Sequence, residues 1–303
     1  MKKAFAALII TLCIVPLRIH SLDLEISGGA GNYAFDSGLT SSLGDEAESF
    51  QSQFYPLALV QISGEKGNFY YNMGFERDPL LRNRFFANVA INLNYFFVEA
   101  GPYLGLFNTR KLPVSPGIGA GLGFTVPGII FIEARGSSTL AIPMDIKGNY
   151  SQLSGDISLG FWVPHVVCSL NVRARNYTVR KESNLLIEDA FSRYFFRADI
   201  YTKNVPYTMQ LDLGYQSLSR SYSSWKTGGG GLVKDTRSDT LKSIFIGLEM
   251  TYTVIPVLKV YLGGEIPVYS WAELPMKDLP GGTALFQAWT GVIWTLPSKK
   301  TQR

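Results

Sequence analysis

The chain has 303 residues, of which 46% are hydrophobic, 13% aromatic and only 17% charged. That length allows a sizeable core, and so few charges beside so many aromatics exclude a disordered chain and a charge-coated soluble surface. The formal net charge is +4, but setting aside Lys2, Lys3 and Arg18 leaves 25 basic against 24 acidic residues, which gives no electrostatic footprint for nucleic acid.

Met1-Lys2-Lys3 followed by the apolar run from Ala4 to Leu17 reads as the charged and hydrophobic regions of an export leader. Ser21 supplies a small residue before Leu22, so residues 1–21 are predicted to be a signal peptide and 22–303 the exported chain. The run spans about 14 residues, short of the ~20 that a membrane-spanning helix needs. Leu12-Cys13 only loosely resembles a lipobox, because Leu12 is not small and the apolar run continues past it. Removal of the leader takes Cys13 away and leaves Cys168 alone, so neither an internal disulfide nor a cysteine metal site is expected.

After residue 21 no apolar run approaches ~18 residues, and the recurring pattern is strict alternation, the mark of a strand with one wet and one apolar face. Phe69, Tyr71, Met73 and Phe75 share one parity against Asn68, Tyr70, Asn72, Gly74 and Glu76. Phe85, Ala87, Val89, Ile91 and Leu93 repeat it, as do Met209, Leu211, Leu213 and Tyr215, and then Ile244, Ile246, Leu248 and Met250. In chain order the predicted strands are 22–33, 54–63, 67–77, 84–95, 97–108, 115–125, 128–138, 151–162, 166–178, 193–203, 206–217, 241–253, 257–269 and 284–296. Fourteen is the preferred number and twelve the alternative.

Every second connection is a short turn, such as Gly64-Glu65-Lys66-Gly67, Val126-Pro127-Gly128 or Val163-Pro164-His165. The intervening ones, 34–53, 78–83, 109–114, 139–150, 179–192, 218–240 and 270–283, are longer and polar. Short turns at one end, long loops at the other and an even strand number describe an all-β, antiparallel up-and-down transmembrane barrel. The competing architecture is a soluble sandwich or lipocalin-like barrel with its apolar face inside, which periodicity alone does not distinguish. Two features favour the membrane barrel. The polar parity carries Asn, Gln and Gly rather than dense Lys and Glu, and Tyr95/Phe97, Phe161/Trp162, Tyr207, Tyr252 and Trp294 sit near turns, where an interfacial girdle belongs.

The phrase Tyr95-Phe96-Phe97-Val98-Glu99-Ala100-Gly101-Pro102-Tyr103-Leu104-Gly105, followed by Pro116-Gly117-Ile118-Gly119-Ala120-Gly121-Leu122-Gly123-Phe124, resembles outer-membrane β-barrel proteins of diderm bacteria. In style it is similar to spirochaetal porin-like proteins, and no family-specific motif accompanies it. The resemblance implies a fourteen-strand porin in the outer membrane with both termini periplasmic, contacts with membrane lipid and the barrel-assembly machinery, and passage of small polar solutes. It departs from that pattern at the end of the chain, where Trp294-Thr295-Leu296 is followed by a polar tail, 297–303, instead of a terminal aromatic.

If the apolar parity meets lipid, the other parity lines the lumen. It carries Glu133, Arg135, Asp156, Arg173, Arg175, Arg197, Asp199, Asp212, Glu249, Lys259 and Glu265. An arginine on the lipid face at mid-depth would cost ~2–4 kcal/mol, so these point inward. Their signs alternate from strand to strand, which suggests lateral pairs such as Arg135–Asp156–Arg173 and Arg197–Asp212. They form either a mixed-charge constriction that filters solutes or a ladder of ion pairs that merely closes the wall. Tyr103, Phe131, Trp162, Phe195, Tyr201, Tyr261 and Trp289 share this parity and have the bulk to fill the lumen. Gly117, Gly119, Gly121 and Gly123 either widen it or admit close packing by a folded-in loop.

Catalysis is not expected. His165, the one histidine after the leader, sits in a predicted periplasmic turn, and there is no G-x-S-x-G, metal-ligand cluster or phosphate loop. Gly228-Gly229-Gly230-Gly231 reads as a flexible loop tip, and no cofactor is implied. Two functions remain: a passive porin-type channel, or a closed barrel that acts as an adhesin through the loops 34–53, 179–192 and 218–240.

Overall fold

The computed structural model describes residues 21–32, 55–78, 82–106, 115–139, 150–182, 185–202, 205–228, 231–273 and 285–297. The leader, the 34–53 loop and the tail beyond Pro297 lie outside the described residues.

Alternating residues that place one face toward lipid can satisfy their backbone only by pairing laterally, and a membrane tolerates no free edge, so the sheet must close. Fourteen antiparallel strands do this: β1 (Ser21–Gly31), β2 (Tyr55–Lys66), β3 (Phe69–Asp78), β4 (Arg82–Leu93), β5 (Phe96–Leu106), β6 (Ser115–Val126), β7 (Ile130–Thr139), β8 (Tyr150–Val163), β9 (Val166–Glu182), β10 (Leu185–Tyr201), β11 (Tyr207–Gly228), β12 (Gly231–Ile255), β13 (Leu258–Glu273) and β14 (Gln287–Pro297). Each strand pairs with its chain neighbours, and β1 pairs with β14 from Ser21↔Pro297 to Gly31↔Gln287. Among the described residues there is no helix. At ~4.8 Å between strands and a tilt of ~40°, fourteen strands enclose a barrel of about 14 Å backbone radius.

The short turns lie at the end that holds both β1's start and β14's finish. Gly67 (φ +60°), Asn94 (φ +56°), Gly128 (φ +77°) and His165 (φ +67°) take the left-handed conformation there. Pro164 followed by left-handed His165 fits a type II turn, so this histidine is a turn residue, with its ring 6.4 Å from Tyr201.

At the opposite end the expectation of long loops is corrected for two of them, 179–192 and 218–240. Most of 179–192 belongs to β9 and β10, and most of 218–240 belongs to β11 and β12, whose ladder runs to Gly228↔Gly231. Alternation weakens there because the outward face has left the membrane. On β11 the outward residues pass from Tyr207, Met209, Leu211, Leu213 and Tyr215 to Ser217, Ser219 and Ser221. The change falls at an aromatic belt in which Tyr194 stacks on Tyr215 at 6.4 Å, Tyr215 meets Trp271 at 6.0 Å and Trp271 meets Tyr269 at 5.5 Å. This girdle has no counterpart among the aromatics expected at the turns. From Tyr207 to Tyr215 the wall rises about 20 Å along the barrel axis, near the ~25 Å of an outer-membrane apolar band.

The second girdle, at the short-turn end, holds Tyr95, Phe161, Tyr207, Tyr252 and Trp294, all about half exposed. Phe97 and Trp162, expected in it, instead turn into the lumen, where Phe97 lies over Gly123 and Trp162 packs on Phe131. Between the girdles Ile157, Leu170, Leu213, Leu248, Met250 and Leu262 stand outward and exposed, as lipid-facing side chains must.

Candidate functional site

The inward parity forms the lumen, and three lateral rows of it carry most of the predicted charges, with Glu133, Arg175 and Lys259 outside them. The first runs through Glu99, Gly121, Arg135, Asp156, Arg173 and Arg193. The second is Arg197, Asp212, Gly247 and Glu265. The third is Asp199, Gln210, Glu249, Gly263 and Trp289.

Two of the expected pairs form. Arg173 Nε donates to Asp156 Oδ1 at 2.9 Å, and Arg197 grips Asp212 in bidentate fashion, Nε to Oδ1 at 2.8 Å and Nη2 to Oδ2 at 2.9 Å. The Arg135–Asp156 pair is corrected. Arg135 turns away to Glu133 Oε2 at 2.8 Å and Glu99 Oε2 at 3.3 Å, and Asp156 takes Arg175 as its second partner at 2.9 Å. Glycine is the reason. Gly121 lies between Glu99 and Arg135 in the row, and a Cβ there would meet the Arg135 stem at 3.0 Å. With no side chain in the way, the guanidinium reaches a strand two places over.

A long guanidinium reach also ties the first row to the second. Gly247 sits between Asp212 and Glu265, and Arg193 Nη1 reaches Glu265 Oε2 at 2.7 Å while its Nη2 lies 3.8 Å from Asp212. The Arg193 guanidinium also lies 3.7 Å from the Phe245 ring centroid and 4.8 Å from that of Phe195. In the third row Trp289 Nε1 donates to Glu249 at 2.7 Å across Gly263, where an added Cβ would collide with the indole. Gln210, with its amide oriented to satisfy both neighbours, links Asp199 (3.2 Å) and Arg197 (3.0 Å). Lys259 is exposed near the short-turn end.

The inward aromatics lie against the wall in the same way. Phe97 covers Gly123, Phe131 covers Gly160, and Tyr261 covers Gly291, each ring occupying the space that a Cβ on its glycine would take. Tyr261 also donates its hydroxyl to Glu25 at 2.7 Å. On β6, Gly123 and Gly121 thus seat side chains of the neighbouring strands, Phe97 and Arg135, and the three rings lie along the lumen wall.

What remains open is polar. A cavity of about 410 Å³ is bounded by Glu25, Arg173, Arg193, Asp212, Glu249 and Glu265 among others. A second of about 460 Å³ lies against Asn72, Glu76, Arg84, Asn88, Glu99 and Arg135. Others of about 370 and 280 Å³ share Asp199. The upper part of the tall wall is packed instead. Leu218, Leu241 and Phe245 point inward with no exposed surface, and Arg220 binds Asp189 through Nε at 2.5 Å, both nearly fully buried.

Of the inward charges, Glu25, Glu76, Arg84, Glu99, Asp189, Arg193 and Arg220 are not among the sequence-derived candidates. Parity was the available signal for Glu99 and Arg193. Asp189 and Arg220 lay in segments expected to be loops. Among the described residues no group of three or more histidine, cysteine or carboxylate side chains is placed to hold a metal.

No family model matches this sequence, and no curated protein matches it. Some solved structures are similar to it. A loop-deletion form of OmpT, an outer membrane protein of Vibrio cholerae, is 9% identical and covers 91% of this chain and 100% of its own, with a TM-score of 0.39. An outer membrane channel from Pseudomonas putida F1 is 8% identical, with coverages of 92% and 96% and a TM-score of 0.42. The outer membrane protein opdK from Pseudomonas aeruginosa is 12% identical, with coverages of 91% and 98% and a TM-score of 0.35. The chain is a closed fourteen-strand antiparallel β-barrel.

Proposed function

We propose that this protein is a porin-like channel of the outer membrane, exported by residues 1–21, with both termini periplasmic, through which small polar solutes diffuse passively. The observation that carries this reading is the lumen itself. Ion pairs across glycine gaps and rings laid on glycines hold the inward side chains against the wall, and polar cavities of about 280–460 Å³ remain between them. A wall designed only for closure would bring those groups together at the centre. Selection in such a lumen comes from size and local field rather than from chemistry on the solute, so the reading is non-catalytic.

A second reading rests on the tall wall. The β9–β10 and β11–β12 hairpins extend past the girdle with Asn176, Glu188, Ser217, Ser219 and Ser221 outward, a rigid polar surface suited to an interaction partner. Planar-bilayer recording on protein purified from outer membranes separates the two. Discrete, reproducible conductance supports the channel. Silence from a barrel that still shows a heat-dependent gel shift rejects it and leaves the hairpins as the working surface.

A further inference from the structure

We infer that the lumen favours cations over anions, which rests on the channel reading above. The basis is the charge left after pairing. Asp156 serves two guanidiniums, Arg173 and Arg175, whereas Arg135 alone faces two carboxylates, Glu99 and Glu133, so these groups offset one another. Arg193 and Arg197 are matched by Glu265 and Asp212. Glu25, Asp199 and Glu249 remain in the middle of the lumen, against a single cation, Lys259, exposed near the short-turn end, and none of the three carboxylates forms an ion pair among the described residues. Their hydrogen bonds come from neutral donors instead: Tyr261 to Glu25, Trp289 to Glu249 and Gln210 to Asp199.

These three carboxylates lie along one route. Glu25 and Glu249 face the cavity of about 410 Å³, and Glu249 and Asp199 face the adjoining one of about 280 Å³, so a solute leaving one for the other stays beside Glu249. Trp289 and Tyr261 are each fixed over a glycine, which holds Glu249 and Glu25 at the wall with their charge toward the opening. Cations fit these walls, and anions meet three carboxylates that have no ion-pair partner in a confined space.

The test is the reversal potential of the full-length protein in a planar bilayer under a KCl gradient. The expected potential has the sign of potassium selectivity, with a permeability ratio of about tenfold over chloride. In the triple variant Glu25→Gln, Asp199→Asn, Glu249→Gln that ratio falls several-fold toward unity while the pore still conducts. Should the triple variant not assemble, Glu25→Gln alone is expected to lower the ratio, and raising salt from about 0.1 to 1 M, which shortens the Debye length from ~10 to ~3 Å, shrinks it in the unmodified protein. Chloride preference, no preference, or a ratio indifferent to these changes overturns the inference and leaves the channel intact. A folded barrel that never conducts overturns both.

Discussion

The two walls of this barrel solve different problems. The short wall, β3 to β7, has strands of 10–12 residues, and its inward aromatics and arginine stems rest on glycines. The tall wall, β9 to β13, has strands of 16–25 residues that outrun the membrane and carry an interior of their own. Its upper part buries Leu218, Leu241 and Phe245 with the Arg220–Asp189 pair, as a soluble protein would. The lipid dictates only the outward face between the girdles. Strand beyond the girdle has water outside, and its stability has to come from what lies inside.

The sharpest way to break that contrast is to empty the tall wall's interior. Phe245→Ala or Leu241→Ala is expected to cost about 2–5 kcal/mol, read as a lower urea midpoint for the folded barrel in bilayers. A loss below about 1 kcal/mol would mean that the upper wall is not a packed core.

Next in size is the difference between ion pairs. Arg220→Ala leaves buried Asp189 without its guanidinium and should destabilise by about 3–5 kcal/mol. Arg173→Ala removes a pair that is 40% and 37% exposed, and the loss expected from the same urea titration is at most about 1 kcal/mol. Equal losses would erase the distinction between the packed upper wall and the wet lumen.

The position of the membrane edge is tested by arginine on a single strand. Leu211→Arg, between the girdles, should cost about 2–4 kcal/mol, whereas Ser219→Arg, beyond Tyr215, should change stability by no more than about 0.5 kcal/mol. A large cost at Ser219 would move the lipid boundary up the tall wall.

The smallest expected effect sharpens the glycine device. Gly263→Val forces the Trp289 indole off its seat, at about 1–3 kcal/mol, and separates it from Glu249. Trp289→Phe keeps the ring without the N–H, so it should retain most of the stability while releasing the same carboxylate. Matching urea midpoints for these two variants would argue against the ring-on-glycine contact.

The sequence by itself determined the strand number and, on the clearly alternating strands, which parity turns inward with Arg135, Asp156, Arg173, Arg197 and Asp212, because a pleated strand alternates strictly and a membrane punishes the wrong alternation. It also marked the short turns, where Gly67, Gly128 and Pro164-His165 carry conformational preferences that act locally. Only the tertiary structure decided how far the tall wall rises. Residues 179–192 and 218–240 have a polar outward face there, and polar alternation reads as loop until the inward partners are known. It also decided which charge meets which. Arg135 neighbours Asp156 in the ladder yet binds Glu99, because Gly121 opens a path across β6, and that choice depends on closed-barrel register and on a missing side chain that no single strand reveals.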